Sequence, residues 1–396
     1  MHTPLEQVTT QQAAANILYS LPPPGDYEKN YQPHYPDANA LLDAMIELHA
    51  TEAVTTPRQV DALQRTLAQI ALGEIERPIT ITERCAEPVD LNTPIETLVA
   101  TSKAEHELIL SVLPRALVIK RNCGQIIKPR TVATEQLPDG RIVTTYMGDG
   151  INSTDPDHRT PDPTRLVAGA LQSRDLEAGL TLAMGYHVPA AHEALSLPYE
   201  QSFIRTDQET GKKYSLSGDI LWIGKRTNGI DGPHVAMLAE VENPIGVKIG
   251  PDSTPEHIAD LQQKLNPQGK AGKLVFMLRM GLEHTDTMRS VVAAIRDNAP
   301  DAILMYDIHG VTKTAPTGEK IRYTGDIIED IRTTAAVCRE AGLKLHGVHL
   351  ETQPDNARLE CTDEPGQLPT HPGGVDPQLN PRQLRYVLEE VADSLL

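Results

Sequence analysis

Short apolar runs alternate with segments of helical periodicity along most of the chain. Runs rich in β-branched residues predict buried strands, and apolar residues spaced at i, i+3 and i+4 predict amphipathic helices. The predicted strands are 78–85, 116–123, 192–197, 219–226, 244–250, 273–281, 302–310 and 344–351. The helices predicted between the later strands are 254–265, 285–298 and 324–342. Strictly alternating strands and helices predict a parallel sheet.

This alternation favours a closed (β/α)8 barrel, or TIM barrel, over an open doubly wound sheet. The open sheet is the weaker alternative because a glycine-rich dinucleotide-binding turn is missing after the first predicted strand. Residues 1–75 are predicted to form an N-terminal arm followed by two extra helices, at 38–50 and 57–74. Residues 76–396 are predicted to form the catalytic barrel, with a long polar loop at about 131–163.

Composition and charge narrow the classes of function. The chain has 396 residues and a formal net charge of −18, which argues against nucleic acid as a partner. No apolar run approaches the roughly 18 residues of a membrane helix, and the first residues do not resemble a secretory signal. The four cysteines do not form a disulfide pattern. We therefore expect a cytoplasmic enzyme with no membrane partner.

The proline-rich stretch 20–37 precedes the predicted barrel and has little of its own to pack against. A segment of this kind is expected to be irregular unless a neighbouring surface orders it. We therefore expect a homo-oligomer, a dimer or higher, in which a second subunit supplies that surface.

Polar side chains follow the apolar runs where the predicted strands end. In a (β/α)8 barrel these carboxyl-terminal ends line the active site. One group of such residues could bind a metal ion: Cys85, His309, Glu351 and Asp376. Mixed sulfur, nitrogen and oxygen ligands suit a divalent ion such as manganese, iron, cobalt or zinc. Taken alone, a cysteine such as Cys85 is more often a small buried residue than a metal ligand.

A second group at the strand ends is cationic: Arg121, Lys128, Arg130, Lys225, Arg226, Lys248 and Arg279. So many cations on one face of an acidic protein repel one another unless an anion compensates them. Arginine binds phosphate and carboxylate through two parallel hydrogen bonds, and lysine adds a point charge. The group indicates two phosphorylated substrates. The alternative is that individual cations pair with acidic side chains on the barrel rim.

Ten motifs, in order, resemble those of class II 3-deoxy-D-arabino-heptulosonate 7-phosphate (DAHP) synthases. They are RCAE (84–87), GQIIKPRT (124–131), YMGDGIN (146–152), WIGKRTNGIDGPHV (222–235), NPIGVKIGP (243–251), LRMG (278–281), HGVT (309–312), GVHLET (347–352), LEC (359–361) and DPQLNPRQ (376–383). The resemblance spans residue 78 to the C-terminus, and the compact length is most similar to the short members of phenazine and other secondary pathways.

The resemblance implies a metal-dependent condensation of phosphoenolpyruvate with an aldose phosphate, erythrose 4-phosphate above all, with release of phosphate. Manganese, cobalt or a similar divalent ion would be the cofactor, on Cys85, His309, Glu351 and Asp376. Phosphoenolpyruvate would be held by Arg121, Lys128, Lys248 and Arg279, with Trp222 and Lys225 nearby. The aldose phosphate would bind Arg130, Thr131 and Arg226. The residues expected to act in catalysis are Lys128, Glu193 and His309.

Some positions depart from the family pattern. Lys225 replaces a usual glutamate, Asp219 a histidine and Val311 an asparagine, and residues 306–308 read Tyr-Asp-Ile instead of Asp-Pro-Met. Asp219 and Lys225 could form a swapped ion pair. The departures keep two alternatives open. One is a sister synthase that uses a different aldose phosphate or an amino-sugar phosphate. The other is a catalytically inactive barrel that binds a partner such as a chorismate mutase.

Overall fold

Eight parallel strands form one sheet in the computed structural model, which describes residues 31–82, 84, 89, 93–121, 127, 132–315, 319–363 and 376–395. Each strand is short and buried, and a helical segment separates most successive strands. The strands are β1 Ile79–Thr82, β2 Leu117–Lys120, β3 Ala191–Glu193, β4 Ile220–Ile223, β5 Ile245–Ile249, β6 Leu274–Leu278, β7 Ile303–Asp307 and β8 Gly347–His349.

Neighbouring strands in the chain are also neighbours in space. The sheet runs in the order β2–β1–β8–β7–β6–β5–β4–β3, and every pairing is parallel. A parallel bridge between Lys120 and Ala190 joins the two ends of this order, and the Lys120 amide donates to the Pro189 carbonyl oxygen at 2.9 Å. The ring is thereby closed, and the predicted (β/α)8 barrel is confirmed.

Helices surround the ring. Those that the structure describes are α1 Ala38–Ala50, α2 Pro57–Ala71, α3 Ile95–Val112, α4 Thr164–Met184, α5 Leu197–Phe203, α6 Pro233–Leu238, α7 Pro255–Leu265, α8 Thr285–Asn298, α9 Thr324–Glu340 and α10 Pro381–Val391. Short two-stranded pairs lie at 134–136 with 142–144, 204–206 with 213–215, and 313–314 with 320–321. Among the described helices, none has both the length and the apolar content needed to cross a membrane.

Side chains alternate between the barrel interior and the surrounding helices, as the two-residue period of a strand requires. In β6, Val275 and Met277 belong to the interior cluster, whereas Leu274 and Phe276 pack in the outer layer. Both faces of each strand are therefore buried. This is why the strands read as continuous apolar runs in the sequence.

Helix α2 closes the amino-terminal end of the barrel. Its apolar side chains Leu63, Leu67 and Ile70 pack into the interior cluster. A capping box between Thr56 and Gln59 fixes the start of the helix, with Pro57 in the first turn. The closed end leaves the opposite, carboxyl-terminal end of the barrel as the place for a site.

The elements differ from the sequence prediction in three respects. The strand predicted at 192–197 is Ala191–Glu193, and α5 begins at Leu197 because Pro198 fits the first turn of a helix. Helices α3, α4, α6 and α10 did not stand out in the sequence. Within the stretch predicted as a long loop, the structure contains the 134–136 and 142–144 pair and a 3₁₀ turn at Pro156–His158. The division at residue 75 stays a prediction.

Candidate active site

Interior positions of several strands end in polar or aromatic side chains at the carboxyl-terminal mouth of the barrel. In β2, the interior residues Leu117 and Ile119 are followed two residues later by Arg121. In β5, a Cβ at Gly246 would meet the Trp222 side chain, so Gly246 faces inward and Lys248 follows it inward. The period of two thus carries each strand from an apolar core to a polar mouth.

Three possible metal ligands converge at this mouth. The Nε2 atom of His309 lies 3.1 Å from Oε1 of Glu351 and 3.7 Å from Oδ2 of Asp376. The three ligand atoms all lie within 4.8 Å of one another. His309 follows β7, Glu351 follows β8, and Asp376 comes from the segment before α10. The structure thus brings together three of the four predicted ligands, and Cys85 lies outside the described residues.

The surroundings of His309 fit a metal site. Its Nδ1 atom contacts the Asp307 carboxylate, which accepts a hydrogen bond from that nitrogen and leaves the Nε2 lone pair directed at Glu351 and Asp376. Metal-binding histidines are commonly held in this way by a second carboxylate. One imidazole and two carboxylates suit manganese, iron, cobalt or zinc better than magnesium or calcium.

Asp307 is fully buried and also contacts two further interior groups. Its Oδ2 atom lies 3.1 Å from Nζ of Lys248 and 3.5 Å from Nδ1 of His349. Burial alone would raise the pKa of the Asp307 carboxyl, but His309, Lys248 and His349 together lower that pKa well below its ordinary value. Burial, reinforced by Lys248, lowers the pKa of His349 to about 3. At neutral pH, Asp307 is therefore charged and His349 neutral.

Two cations lie against the candidate ligands on their outer side. Arg322 is fully buried, and its Nη1 donates to Oε2 of Glu351 at 2.8 Å, while its Nη2 lies 3.5 Å from Oδ2 of Asp376. Lys320 donates to Oδ1 of Asp376 at 2.8 Å. These contacts hold the two carboxylates in place, because each has one oxygen bound on the side away from His309.

The predicted substrate-binding residues divide into a deep group and a rim group. Arg121, Lys248 and Trp222 form the deep group: Cζ of Arg121 lies 5.5 Å, and Nζ of Lys248 5.7 Å, from the centre of the Trp222 ring. Nη1 of Arg121 also lies 3.6 Å from Oε1 of Glu351. The deep group therefore adjoins the candidate metal ligands directly.

The rim group lies farther out on the loops after β4 and β6. Lys225 forms an ion pair with Asp252 at 2.7 Å, Arg226 is exposed, and Arg279 is half-buried. Lys225 therefore pairs with an acidic side chain on the barrel rim, which was the alternative to phosphate binding for the predicted cations. Lys128, Arg130 and Thr131 lie outside the residues that the structure describes.

Glu193 ends β3 beside the deep group. It is only 9% exposed, and it is the register partner of Trp222 on the adjacent strand. A Cβ at Gly224 would lie 2.0 Å from Oε1 of Glu193, so the carboxylate occupies the space that this glycine leaves open. A buried acid at this position has the location needed to handle a proton or a water molecule at the barrel mouth.

Comparison with known proteins gives a consistent result. The model of the Class-II DAHP synthetase family matches residues 25–184 and 184–387. The chain belongs to this family. A probable phospho-2-dehydro-3-deoxyheptonate aldolase from Pseudomonas fluorescens is 32% identical over 89% of this chain and 92% of its own length. A phospho-2-dehydro-3-deoxyheptonate aldolase from Streptomyces coelicolor is 27% identical over 83% of this chain and 86% of its own.

A solved structure supports the fold of this class II DAHP synthase family member. It is the phospho-2-dehydro-3-deoxyheptonate aldolase from Francisella tularensis, with a TM-score of 0.53 and 16% identity, and the match covers 89% of this chain and 96% of that chain. At this identity the likeness concerns the fold alone. Family membership makes the protein an enzyme of the DAHP synthase type, which condenses phosphoenolpyruvate with an aldose phosphate.

One interpretation of the family departures is wrong. Asp219 and Lys225 do not pair, because they lie at opposite ends of β4. Asp219 is at the closed end, where it accepts from the Thr55 hydroxyl at 2.6 Å and from the Ala190 amide at 2.7 Å, and contacts His187 at 3.0 Å. Asp219 therefore anchors the start of α2 rather than acting at the mouth.

The sequence reasoning missed Asp307, His349, Lys320 and Arg322. Asp307 and His349 had a usable signal, since each stands two residues before a predicted ligand, His309 and Glu351, and lies within a predicted strand. No such sequence signal marks Lys320 and Arg322, because they do not follow a strand of the barrel and enter the site from the segment that leads into α9.

Proposed function

We propose that the protein condenses phosphoenolpyruvate with erythrose 4-phosphate to give DAHP and inorganic phosphate, with a divalent metal ion such as manganese or cobalt. The convergence of His309, Glu351 and Asp376 at the mouth that also holds Arg121 and Lys248 carries this proposal. A metal-ligand set and a pair of buried cations at one barrel end suit an aldehyde and a phosphorylated anion held side by side.

Arg121 and Lys248 are proposed to bind phosphoenolpyruvate. Both are buried, and among the described residues each forms an ion pair with a single carboxylate: Glu351 at 3.6 Å from Arg121 and Asp307 at 3.1 Å from Lys248. A bound anion would satisfy their remaining donors, since buried cations require partners. The buried indole N–H of Trp222 has no acceptor among the described residues and provides a further donor. Lys128 and Arg279 are proposed to complete this site.

His309, Glu351 and Asp376, with Cys85 as a fourth ligand, are proposed to hold the metal ion. When bound, such an ion supplies Lewis-acid polarisation of the aldehyde oxygen. The geometry around His309 supports this role because Asp307 fixes the ring with Nε2 toward the two carboxylates. Arg322 and Lys320 restrain those carboxylates from behind.

In the proposed reaction, C3 of phosphoenolpyruvate forms a bond with the aldehyde carbon while the aldehyde oxygen takes up a proton and becomes a hydroxyl. Water adds to C2 and gives up a proton, and the bond from C2 to the phosphate ester oxygen then breaks, which releases inorganic phosphate and leaves a ketone at C2. Arg121 and Lys248 would hold the phosphoenolpyruvate so that C3 faces the aldehyde, and such orientation can contribute roughly 7–11 kcal/mol in favourable cases. Glu193 would orient the water and accept its proton. The aldose phosphate group would bind Arg130, Thr131 and Arg226, with Lys225 at the rim.

A second candidate is a synthase that uses a different aldose phosphate or an amino-sugar phosphate. The specific observation is Lys225, which pairs with Asp252 at the rim where the family usually has glutamate. A change of charge at the mouth would alter which aldose phosphate binds. The proposed phosphoenolpyruvate-binding residues Arg121, Trp222 and Lys248 would stay unchanged. The acceptor is therefore the feature that an experiment has to determine.

Phosphate release from phosphoenolpyruvate tests both candidates. Protein reconstituted with manganese or cobalt should release phosphate only when an accepted aldose phosphate is present, and erythrose 4-phosphate should be the best of a panel. Lys248→Met should abolish release. Lys270→Met, which removes a lysine paired with Glu242 at the other end of the barrel, should leave the rate unchanged. Turnover with another sugar alone would favour the second candidate. No turnover with any sugar and no bound metal would favour a binding protein.

A further inference from the structure

Asp307 connects the candidate metal ligands to the candidate phosphoenolpyruvate site through one carboxylate. Its Oδ1 atom accepts from the backbone N–H of His309 at 2.9 Å and contacts Nδ1 of the same ring. Its Oδ2 atom lies 3.1 Å from Nζ of Lys248. The carboxylate is fully buried, so solvent does not weaken these contacts.

The backbone at the end of β7 gives Asp307 this position. Ile303 and Met305 face the barrel interior, and Asp307 is the next residue of that face. It also caps the 3₁₀ turn Ile308–Val311, in which His309 lies. The same side chain therefore fixes both the main chain and the ring of His309, and it reaches past β6 to Lys248 on β5.

We propose that Asp307 is a positioning residue that orients His309 toward Glu351 and Asp376 and, through its other oxygen, fixes Lys248 beside Trp222. The inference rests on the proposed function, since it assigns the two contacts of Asp307 to the two halves of that site. It predicts that one substitution changes metal binding and the geometry of the bound phosphoenolpyruvate together.

The electrostatics give the two effects opposite signs. Asparagine at position 307 would keep the shape of the side chain but lose the charge that holds His309, and removal of such a partner typically costs 10–100-fold in metal affinity. The lost charge is negative and lies 3.1 Å from Lys248, so its removal makes the phosphoenolpyruvate site more positive. Phosphoenolpyruvate should therefore bind as tightly as before or more tightly, while kcat falls because Lys248 is no longer held in place.

If Asp307 only stabilised the fold, its replacement would not weaken metal binding while leaving phosphoenolpyruvate binding unchanged or tighter. Asp330 provides the matched control, because it is a buried carboxylate on α9 that contacts the Tyr306 hydroxyl on the outer side of the same strand. Asp330→Asn should leave both ligand affinities within about twofold of wild type, because Asp330 touches neither His309 nor Lys248.

The experiment compares the wild type, Asp307→Asn and Asp330→Asn as full-length proteins. Cobalt affinity is measured from the visible absorption of the bound ion. Phosphoenolpyruvate affinity is measured from the fluorescence of Trp222, the single tryptophan of the chain. For Asp307→Asn we expect cobalt affinity about 10–100-fold weaker with an altered spectrum, phosphoenolpyruvate affinity equal or higher, and a lower kcat at saturating ligands.

The outcomes separate the inference from the proposed function. A wild type that binds both ligands and turns over, beside an Asp307→Asn variant with unchanged cobalt affinity and spectrum, would overturn the inference alone. Parallel weakening of both ligands would also overturn it. A wild type that binds neither ligand would refute the proposed function. If Asp307→Asn does not fold, Asp307→Glu is used instead. It keeps the charge but displaces it, so an unchanged cobalt spectrum and kcat would count against the inference.

Discussion

Replacement of Arg322 with methionine should destabilise the protein strongly. The guanidinium is fully buried and donates to Oε2 of Glu351 at 2.8 Å and to the Thr312 hydroxyl at 2.7 Å. At the 2.8 Å between Arg322 and Glu351, two unit charges attract by about 6 kcal/mol at an effective dielectric constant of about 20. Methionine keeps much of the volume but leaves the buried Glu351 carboxylate without this cation. Removing one partner of a buried ion pair typically costs about 3–5 kcal/mol, and we expect a loss in this range.

Chemical denaturation followed by far-UV circular dichroism measures this loss. Arg332→Met is the matched control, because Arg332 pairs with Glu390 at 2.8 Å but both side chains are largely exposed. An exposed pair of this kind contributes about 1 kcal/mol or less. If both variants lose the same small amount, the buried contact of Arg322 with Glu351 does not contribute the expected stabilisation of about 3–5 kcal/mol. Added cobalt should restore part of the stability lost in Arg322→Met, since a cation bound by Glu351 would compensate its charge.

Three further predictions concern the rest of the barrel. Burial opposes protonation of His187, but Asp219 and Glu177 raise its pKa to about 10, so its contribution to stability is complete below its ordinary pKa of 6.5 and is lost as the pH rises toward 10. Melting temperatures from pH 7 to 10 should fall more steeply for the wild type than for His187→Gln, and parallel curves would contradict this. Lys225→Met should change stability by less than about 1 kcal/mol, yet it should alter the relative rates with different aldose phosphates; an unchanged ranking would exclude Lys225 from acceptor choice. Phosphoenolpyruvate should change the fluorescence of Trp222 in the wild type but not in Arg121→Met, and an equal response would place the binding site elsewhere.

The barrel could be predicted because each buried parallel strand forms its own continuous apolar run in the sequence. The run from Leu274 to Leu278 is apolar on both faces, and the helix after it has its own periodicity. The ends of strands were harder to assign. Asp219 stands before β4 and Lys225 after it, and only the position of the strand between them shows that they lie at opposite ends of the barrel.

The candidate site was predictable only in part for a related reason. His309 and Glu351 follow apolar runs directly, so the strand-end rule finds them. Asp307 lies inside its run, at a position where the family pattern has proline, and reads as part of the strand. Arg322 and Glu351 are 29 residues apart in the chain, and a contact over this separation leaves no periodic pattern in the sequence.

The metal content of the purified protein tests the central claim most directly. After loading with cobalt and removal of excess ion, the wild type should retain about one ion per chain, and so should His284→Gln, which changes an exposed histidine. His309→Gln and Glu351→Gln should retain almost none, because each removes a converging ligand. Equal cobalt content in all four proteins would show that His309, Glu351 and Asp376 do not form the metal site.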